Sequence, residues 1–322
     1  MKRFIRYACI GIALLPWRAS GQSIQEKDYT VSQSFDLNGK RTRETQYFFM
    51  ESVFFSYQPD GIRTPKDVYT LFLICNPAQL KREVFDIYVC SKFILKTGDS
   101  PQRAVPSLVD WAYKFDVDSS GLDKEGQVLG IDHGKFENLT DDKGTLLPPD
   151  KSYLVYNTFI DFHSFCNVFA EKTLTGNGVQ DLHRIGDRIV HSSAYSEPSV
   201  SVGSMISKGS YFKNGEVVLS FDGLSLVNGK QCGLLSFDSG ESSFKMIMSP
   251  MPKMQITTNG GSHYKGTIFI DLASKWVQKV MMNEVVVSQT KLPFPPNQIN
   301  SVTERQSTIR NATQEEYMKA LK

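Results

Sequence analysis

Residues 213–240 have the sequence KNGEVVLSFDGLSLVNGKQCGLLSFDSG. Asn and Gly reach positive φ at low steric cost, which tight turns between antiparallel strands require. The segment 208–290 is therefore predicted to be an antiparallel β-meander. We expect a mainly β fold, an open half-barrel or curved sheet, with a few short helices. The predicted turns are Asn214-Gly215, Asn228-Gly229, Asp238-Ser239-Gly240 and Asn259-Gly260-Gly261.

The spacing of apolar residues predicts elements across the rest of the chain. In residues 84–95 the apolar side chains share one parity, as in a strand with one buried face. The apolar phase of residues 217–221 shifts at Leu224, so Gly223 is the expected site of a β-bulge. The other predicted elements are strands at 28–36, 42–57 and 68–75, a short helix at 107–115, an edge strand at 301–310, and a C-terminal helix that begins with the capping box Thr313 to Glu316.

Residues 157–171 are the best candidate for a longer helix. Their apolar side chains, from Phe159 to Phe169, recur at spacings of three and four, which is typical of a helix face packed against a core. Further along, residues 276–288 are apolar on both faces of a predicted strand. This pattern predicts cover on both sides, by a second layer or by a bound apolar ligand.

Residues 1–21 have the features of a cleavable signal peptide. A basic start is followed by a short apolar run, residues 7–15, and by small residues at 19–21. The run is about half of the ~20 residues that span a bilayer, so we expect cleavage and a soluble product, periplasmic or extracellular. Cleavage removes four basic residues and no acidic one, which changes the formal charge from +2 to −2. This charge lacks the basic excess typical of nucleic-acid binding.

The mature chain is expected to divide near Pro148. Residues 116–152 are the most polar stretch and are rich in turn formers. We therefore predict a β-rich N-terminal region, residues 22–150, and a region of one helix plus the meander, residues 151–322. A single domain is the alternative.

Four cysteines follow the leader, and two arrangements are open. An exported chain with an even number of cysteines can form two disulfides. Buried free thiols are favoured, since most of these cysteines lie in apolar runs. A hairpin about Asn76-Pro77 would place Cys75 opposite Val84 and Cys90 opposite Tyr69, which argues against a bridge between these two. The four cysteines are Cys75, Cys90, Cys166 and Cys232.

His183, Asp187 and His191 are the candidate metal ligands. They are spaced by four, so a helix would place two imidazoles and a carboxylate on one face, a donor set that suits zinc. Gly186 interrupts such a helix, and we favour histidines that are satisfied by turns and backbone hydrogen bonds. No zinc, nucleophile-elbow or phosphate-loop motif is found, so no catalytic residue is assigned and no cofactor is expected.

Aromatic residues make up 11% of the chain, and methionines cluster in its second half. Core packing is the simplest interpretation of the aromatic content. The alternative is a large sheet curved around an apolar ligand, with flexible methionines as its lining. The methionines concerned are Met246, Met248, Met251, Met254, Met281 and Met282.

The meander with a helix against it resembles the open half-barrels of bacterial envelope lipoprotein and lipid carriers, over residues 187–310 at most. The resemblance implies an envelope location and an apolar ligand, and it assigns a role to no residue of this chain. The leading prediction is a non-enzymatic binder of an apolar or amphipathic ligand such as a lipid, or of another envelope protein. The alternatives are a metal-dependent hydrolase that uses the His/Asp site, and a structural module whose strand edges bind partners.

Overall fold

The structure is a computed structural model of the whole chain. The signal peptide and most of the strand predicted at 28–36 lie outside the residues it describes, and residues 33–36 are not in a strand. The described residues are 33–57, 61–80, 83–117, 121–125, 127–173, 176–191, 194–196, 206–251 and 254–322.

Strands dominate the described chain, as the sequence predicts. The strands are β1 (Gln46–Tyr57), β2 (Arg63–Leu80), β3 (Glu83–Thr97), β4 (Arg103–Ala104), β5 (Trp111–Phe115), β6 (Arg188–His191), β7 (Ala194–Ser196), β8 (Tyr211–Asn214), β9 (Val217–Val227), β10 (Lys230–Ser239), β11 (Ser242–Met251), β12 (Met254–Asp271), β13 (Val277–Lys291) and β14 (Gln298–Ala312). The α-helices are α1 (Pro149–His163), which continues as a π-helix (Ser164–Val168), and α2 (Gln314–Leu321), and there are 3-10 turns at Pro106–Leu108, His133–Phe136 and Val179–Asp181.

All strands belong to one antiparallel sheet. Its main path runs β4-β3-β2-β1-β14-β13-β12-β10-β9-β6, and β5, β7, β8 and β11 extend it at the sides. Within the described residues the two end strands, β4 and β6, do not pair with each other, so the sheet is open. The predicted mainly β fold with an antiparallel meander at 208–290 is confirmed.

The last strand lies in the middle of the sheet. β14 pairs with β13 on one side and with β1 on the other, where Phe48 is opposite Asn311 and Ser56 is opposite Thr303. The prediction of an edge strand at 301–310 is therefore wrong. Polar residues are tolerated here because β14 places Ser307 against Ser52 of β1, with their hydroxyl oxygens 2.7 Å apart.

Two of the predicted turns are kinks inside long strands. β8 pairs with β11 and β9 pairs with β10, and both pairs have the same register, as if each were part of one longer strand pair. The breaks at Gly215 and Gly240 are opposite each other. A Cβ on Gly215 would lie 2.7 Å from the carbonyl carbon of Gly240, so the backbones approach too closely for a side chain. Hydroxyl groups satisfy the freed amides: Gly215 N donates to Ser242 Oγ at 3.1 Å, and Tyr264 N donates to Ser239 Oγ at 2.8 Å.

Of the remaining predictions at glycines, one turn and the bulge are confirmed, and one predicted turn lies inside a strand. Asn228 and Gly229 have φ values of 50° and 76° and join β9 to β10, so this turn is confirmed. The register of β9 against β10 shifts beside Gly223, which confirms the bulge. Asn259-Gly260-Gly261 lies inside β12, and a Cβ on Gly260 would meet the ring of Phe244 at 2.5 Å. The glycine at 260 therefore leaves space for the Phe244 ring, and the turn predicted at Asn259-Gly260-Gly261 is wrong.

Helix α1 covers one face of the sheet, which we call the inner face. It begins at Pro149, eight residues before the predicted start, because Pro is favoured in the first turn of a helix. The aromatic stripe packs as predicted: the rings of Phe93 and Phe159 are 5.9 Å apart, and those of Phe48 and Phe162 are 5.1 Å apart. The short helix predicted at 107–115 is wrong, since Trp111–Phe115 pairs with β3 as a strand.

The opposite, outer face is covered only in part. Thr313 and Glu316 form the predicted capping box of α2, and Tyr317 of that helix packs on Phe49 and Phe72. Along β13, however, Met281 and its outer-facing neighbours Val285 and Val287 are exposed, so the prediction of a second protein layer is wrong for this face. The alternative, cover by a bound apolar ligand, stays a prediction. The helices described here include none that is long and apolar enough to cross a membrane.

Candidate ligand-binding site

The inner face continues beyond α1 as an apolar surface that α1 does not fill. We call this surface the apolar trough and define it by Phe212, Phe244, Met246, Met248 and Ile256. Each of these side chains is partly buried. Strand register places them together, because Phe244 is opposite both Phe212 and Gly260, while Met248 is opposite Ile256.

The kinked strands meet the first turns of α1 at one side of the trough. The ring of Tyr153 stacks on that of Phe212, with centroids 6.2 Å apart, and Phe212 is 5.9 Å from Phe244. Gly260 leaves room for the Phe244 ring in β12. The trough therefore begins beside α1, at Phe212, and extends along β11 and β12 to Met248 and Ile256.

A cluster of charged groups lies on the inner face, and its residue Glu284 is four positions along β13 from Ser288, which is opposite Gly260 of β12. Arg305 of β14 donates to the carboxylate of Asp161 of α1, and its Nε lies 2.8 Å from Glu284 Oε2. Burial raises the pKa of Asp161 to about 6, although the positive charge of Arg305 acts in the opposite direction. Tyr264 of β12 is directly opposite Glu284 of β13. Burial also raises the pKa of the Tyr264 hydroxyl.

A second polar network is buried under α1 and the π-helix. His163 Nε2 lies 2.8 Å from the hydroxyl of Tyr113, and its Nδ1 lies 2.6 Å from Asn167 Nδ2. Burial lowers the pKa of His163 to about 3, and the nearby charge of Arg41 lowers it further. Burial raises the pKa of Cys166 on the next turn. A neutral imidazole and a protonated thiol, both inside the core, give this network a structural role.

The candidate metal ligands do not share a helix face. Asp187 Oδ2 accepts from the backbone amides of His183, at 2.8 Å, and Arg184, at 2.7 Å, so this carboxylate closes a turn. His191 lies in β6, with its ring 5.3 Å from Phe169, and burial lowers its pKa. Within the described residues, no group of three or more His, Cys, Asp or Glu side chains is arranged to hold a metal ion.

All four described cysteines are buried free thiols. Burial raises the pKa of Cys90 to about 12 and that of Cys232 to about 11. The predicted register was wrong by several residues, because β2 continues to Leu80: Cys75 is opposite Tyr88, and Cys90 is opposite Leu73.

Sequence reasoning found part of this site. Met246 and Met248, two of the proposed lining methionines, lie in the trough, whereas Met282 is buried and Met281 faces outward. The charged group was missed, because Asp161 and Arg305 are 144 positions apart and belong to no motif. Pro149 was the overlooked signal for the true start of α1.

A concavity of about 370 Å³ lies at the other end of the sheet, near β6 and β9. Its lining includes Arg188, Ser220, Asp222 and Ser236. Ile185 and Phe221 also contribute, so this lining is mixed. The trough, whose defining side chains are all apolar, remains the candidate site.

Comparison with known proteins gives no family. No family model matches the chain, and no curated protein matches it. Among solved structures, a mutant of the Rh. blastica porin matches with 7% identity over 84% of this chain and 100% of the porin chain, at a TM-score of 0.19. OmpF from Salmonella typhi in complex with daunomycin matches with 6% identity over 87% of this chain and 100% of that chain, at a TM-score of 0.16. Scores this low do not establish a shared fold.

Proposed function

We propose that the protein is a non-enzymatic binder that holds an apolar or amphipathic ligand in the apolar trough. The observation that carries this proposal is the set of five partly exposed apolar side chains on the inner face, of which Phe212 contacts α1 through Tyr153. Ligand sites are typically apolar surfaces with a few polar groups at defined positions. Methionine suits such a surface because its flexible thioether adapts to the shape of the ligand.

The charged cluster gives the proposed ligand an orientation. Asp161, Glu284 and Arg305 form one charged cluster, and Glu284 is four positions along β13 from Ser288, which is opposite Gly260 beside Phe244 of the trough. An acyl chain in the trough would leave the polar end of an amphipathic molecule near these groups. The signal-peptide pattern of residues 1–21 supports an exported envelope protein as the setting for this function.

Fluorescence titration with N-phenyl-1-naphthylamine, a neutral apolar probe, tests the proposal. Met246→Glu places a charge in the trough, and Met281→Glu places the same charge on the outer face, where Met281 is 37% exposed. We expect the wild type and Met281→Glu to bind the probe alike, and Met246→Glu to bind at least about tenfold more weakly, since burying an unpaired charge is costly. Circular dichroism confirms that both variants fold.

Two results would contradict the proposal. One is a wild-type protein that does not enhance the fluorescence of the probe. The other is an equal loss of binding in both variants, which would place the probe somewhere other than the trough.

A further inference from the structure

Exposed apolar side chains gather at one rim of the sheet, where three hairpins end. Ser56 is opposite Thr303, and Thr257 is opposite Lys291, so the ends of the β1–β2, β11–β12 and β13–β14 hairpins are neighbours. We call this edge the turn rim and define it by Tyr57, Met251, Val287, Phe294, Ile299 and Val302.

The apolar side chains of the turn rim are about half exposed. Met251 is 58% exposed, Val287 is 56% exposed, and Phe294 at the β13–β14 turn is 47% exposed. Val287 is directly opposite Val302, so these two form one continuous outer patch. Clustered apolar exposure of this kind marks an interaction surface, whereas single exposed apolar residues need no explanation.

Two of the three hairpins at the turn rim, β11–β12 and β13–β14, carry an excess of positive charge. Segments 206–214, 242–262 and 285–303 contain five lysines and no aspartate or glutamate. Three acidic residues directly border these segments. Glu304 lies 2.6 Å from Arg63 and Glu284 lies 2.8 Å from Arg305, while Glu241 precedes the second segment. Excess positive charge beside exposed apolar side chains is complementary to a surface with negatively charged groups outside and an apolar layer beneath them.

We propose that the turn rim docks on the surface of an anionic phospholipid bilayer. The apolar side chains would enter the interfacial region while the lysines contact lipid phosphates, the combination that holds peripheral proteins to membranes. Met248 and Ile256 of the trough lie just behind Met251 and Met254 at the end of the β11–β12 hairpin. Docking would therefore bring one end of the trough to the lipid.

Flotation with vesicles tests the proposal without reference to the trough. Vesicles of equal parts phosphatidylglycerol and phosphatidylcholine are compared with pure phosphatidylcholine. The double variant Val287→Asp/Phe294→Asp alters the turn rim, and Leu226→Asp/Met318→Asp removes two side chains of similar exposure, 52% and 49%, elsewhere on the surface. Circular dichroism and urea unfolding establish that both double variants fold.

We expect the wild type and the Leu226/Met318 variant to bind anionic vesicles alike. The turn-rim variant should bind at least about tenfold more weakly, a loss of about 1.4 kcal/mol or more. Pure phosphatidylcholine should bind the wild type less well than anionic vesicles do. Absence of binding to anionic vesicles, or equal binding by both double variants, overturns the proposal and points to a protein partner for the rim. Probe binding in the trough is measured separately, so failure of one proposal does not imply failure of the other.

Discussion

Asp161 of α1 forms an ion pair with Arg305 of β14, and this contact joins the helix to the central strand of the sheet. Both side chains are largely buried, with 16% and 13% exposure. Protonation of the Asp161 carboxylate therefore changes the stability of the folded protein.

Replacement of Asp161 by Asn should remove a pH dependence of stability. Burial raises the folded pKa of Asp161 to about 6, compared with about 4 in an unfolded chain. A raised folded pKa gives stability that is complete below about pH 4 and is lost as the pH rises through about 6. The unfolding free energy of the wild type minus that of Asp161→Asn should therefore fall by about 2 to 3 kcal/mol between about pH 4 and pH 7.5.

Urea titrations at several pH values make this measurement. Asp142→Asn is the control, because Asp142 is exposed, and it should follow the wild-type profile. A wild-type advantage over Asp161→Asn that grows as the pH rises would contradict the assignment.

His163 should stay neutral across the range in which histidine normally titrates. Burial lowers its pKa to about 3, whereas an unfolded histidine has a pKa of about 6.5. The folded protein should thus lose stability as the pH falls below about 6.5, since only the unfolded chain binds this proton. In NMR spectra the ring signals assigned through His163→Gln should not shift between about pH 8 and pH 4. A titration midpoint near 6 would show an accessible imidazole instead.

A methyl group on Gly215 should weaken the fold at the kink. The new Cβ would lie 2.7 Å from the backbone of Gly240, so β8 or β11 must move. We expect Gly215→Ala to lower the unfolding free energy by about 2 kcal/mol. Gly229→Ala is the matched control: its Cβ meets open space, and only its φ of 76° opposes a side chain, at a cost of about 1 kcal/mol. Equal losses in the two variants would argue against close packing at the kink.

Iodoacetamide should label none of Cys75, Cys90, Cys166 and Cys232 in the native protein. Each thiol is buried, and burial raises its pKa, so little reactive thiolate is exposed. In urea without a reductant, all four should be labelled, as peptide mass spectrometry can establish. A requirement for reductant would mean that disulfides form.

Turn chemistry predicted the meander better than it predicted the turns. Asn228-Gly229 has the positive φ values that a hairpin needs, and it is a turn. Gly215 and Gly260 are glycines for another reason, since neighbouring backbone or a Phe ring occupies the space of a side chain. The local sequence is the same in both situations. Only the packing around each glycine separates a turn from a kink.

The sequence pattern did not predict which distant segments pair with each other. β1 and β14 are joined although the chain between them exceeds 200 residues, and the polar composition of β14 suggested an edge. The Asp161–Arg305 contact depends on the same arrangement. Residue types can indicate that a strand exists, but they do not specify which remote strand it contacts.

The most direct test of the trough as a ligand site is the lipid that co-purifies with the protein. The wild type, Met246→Glu and Met281→Glu are purified in parallel, extracted with chloroform and methanol, and analysed by mass spectrometry. The account predicts the same apolar or amphipathic molecule in the wild type and Met281→Glu, and its loss from Met246→Glu. A wild-type protein without such a molecule, or equal amounts in all three, would contradict it.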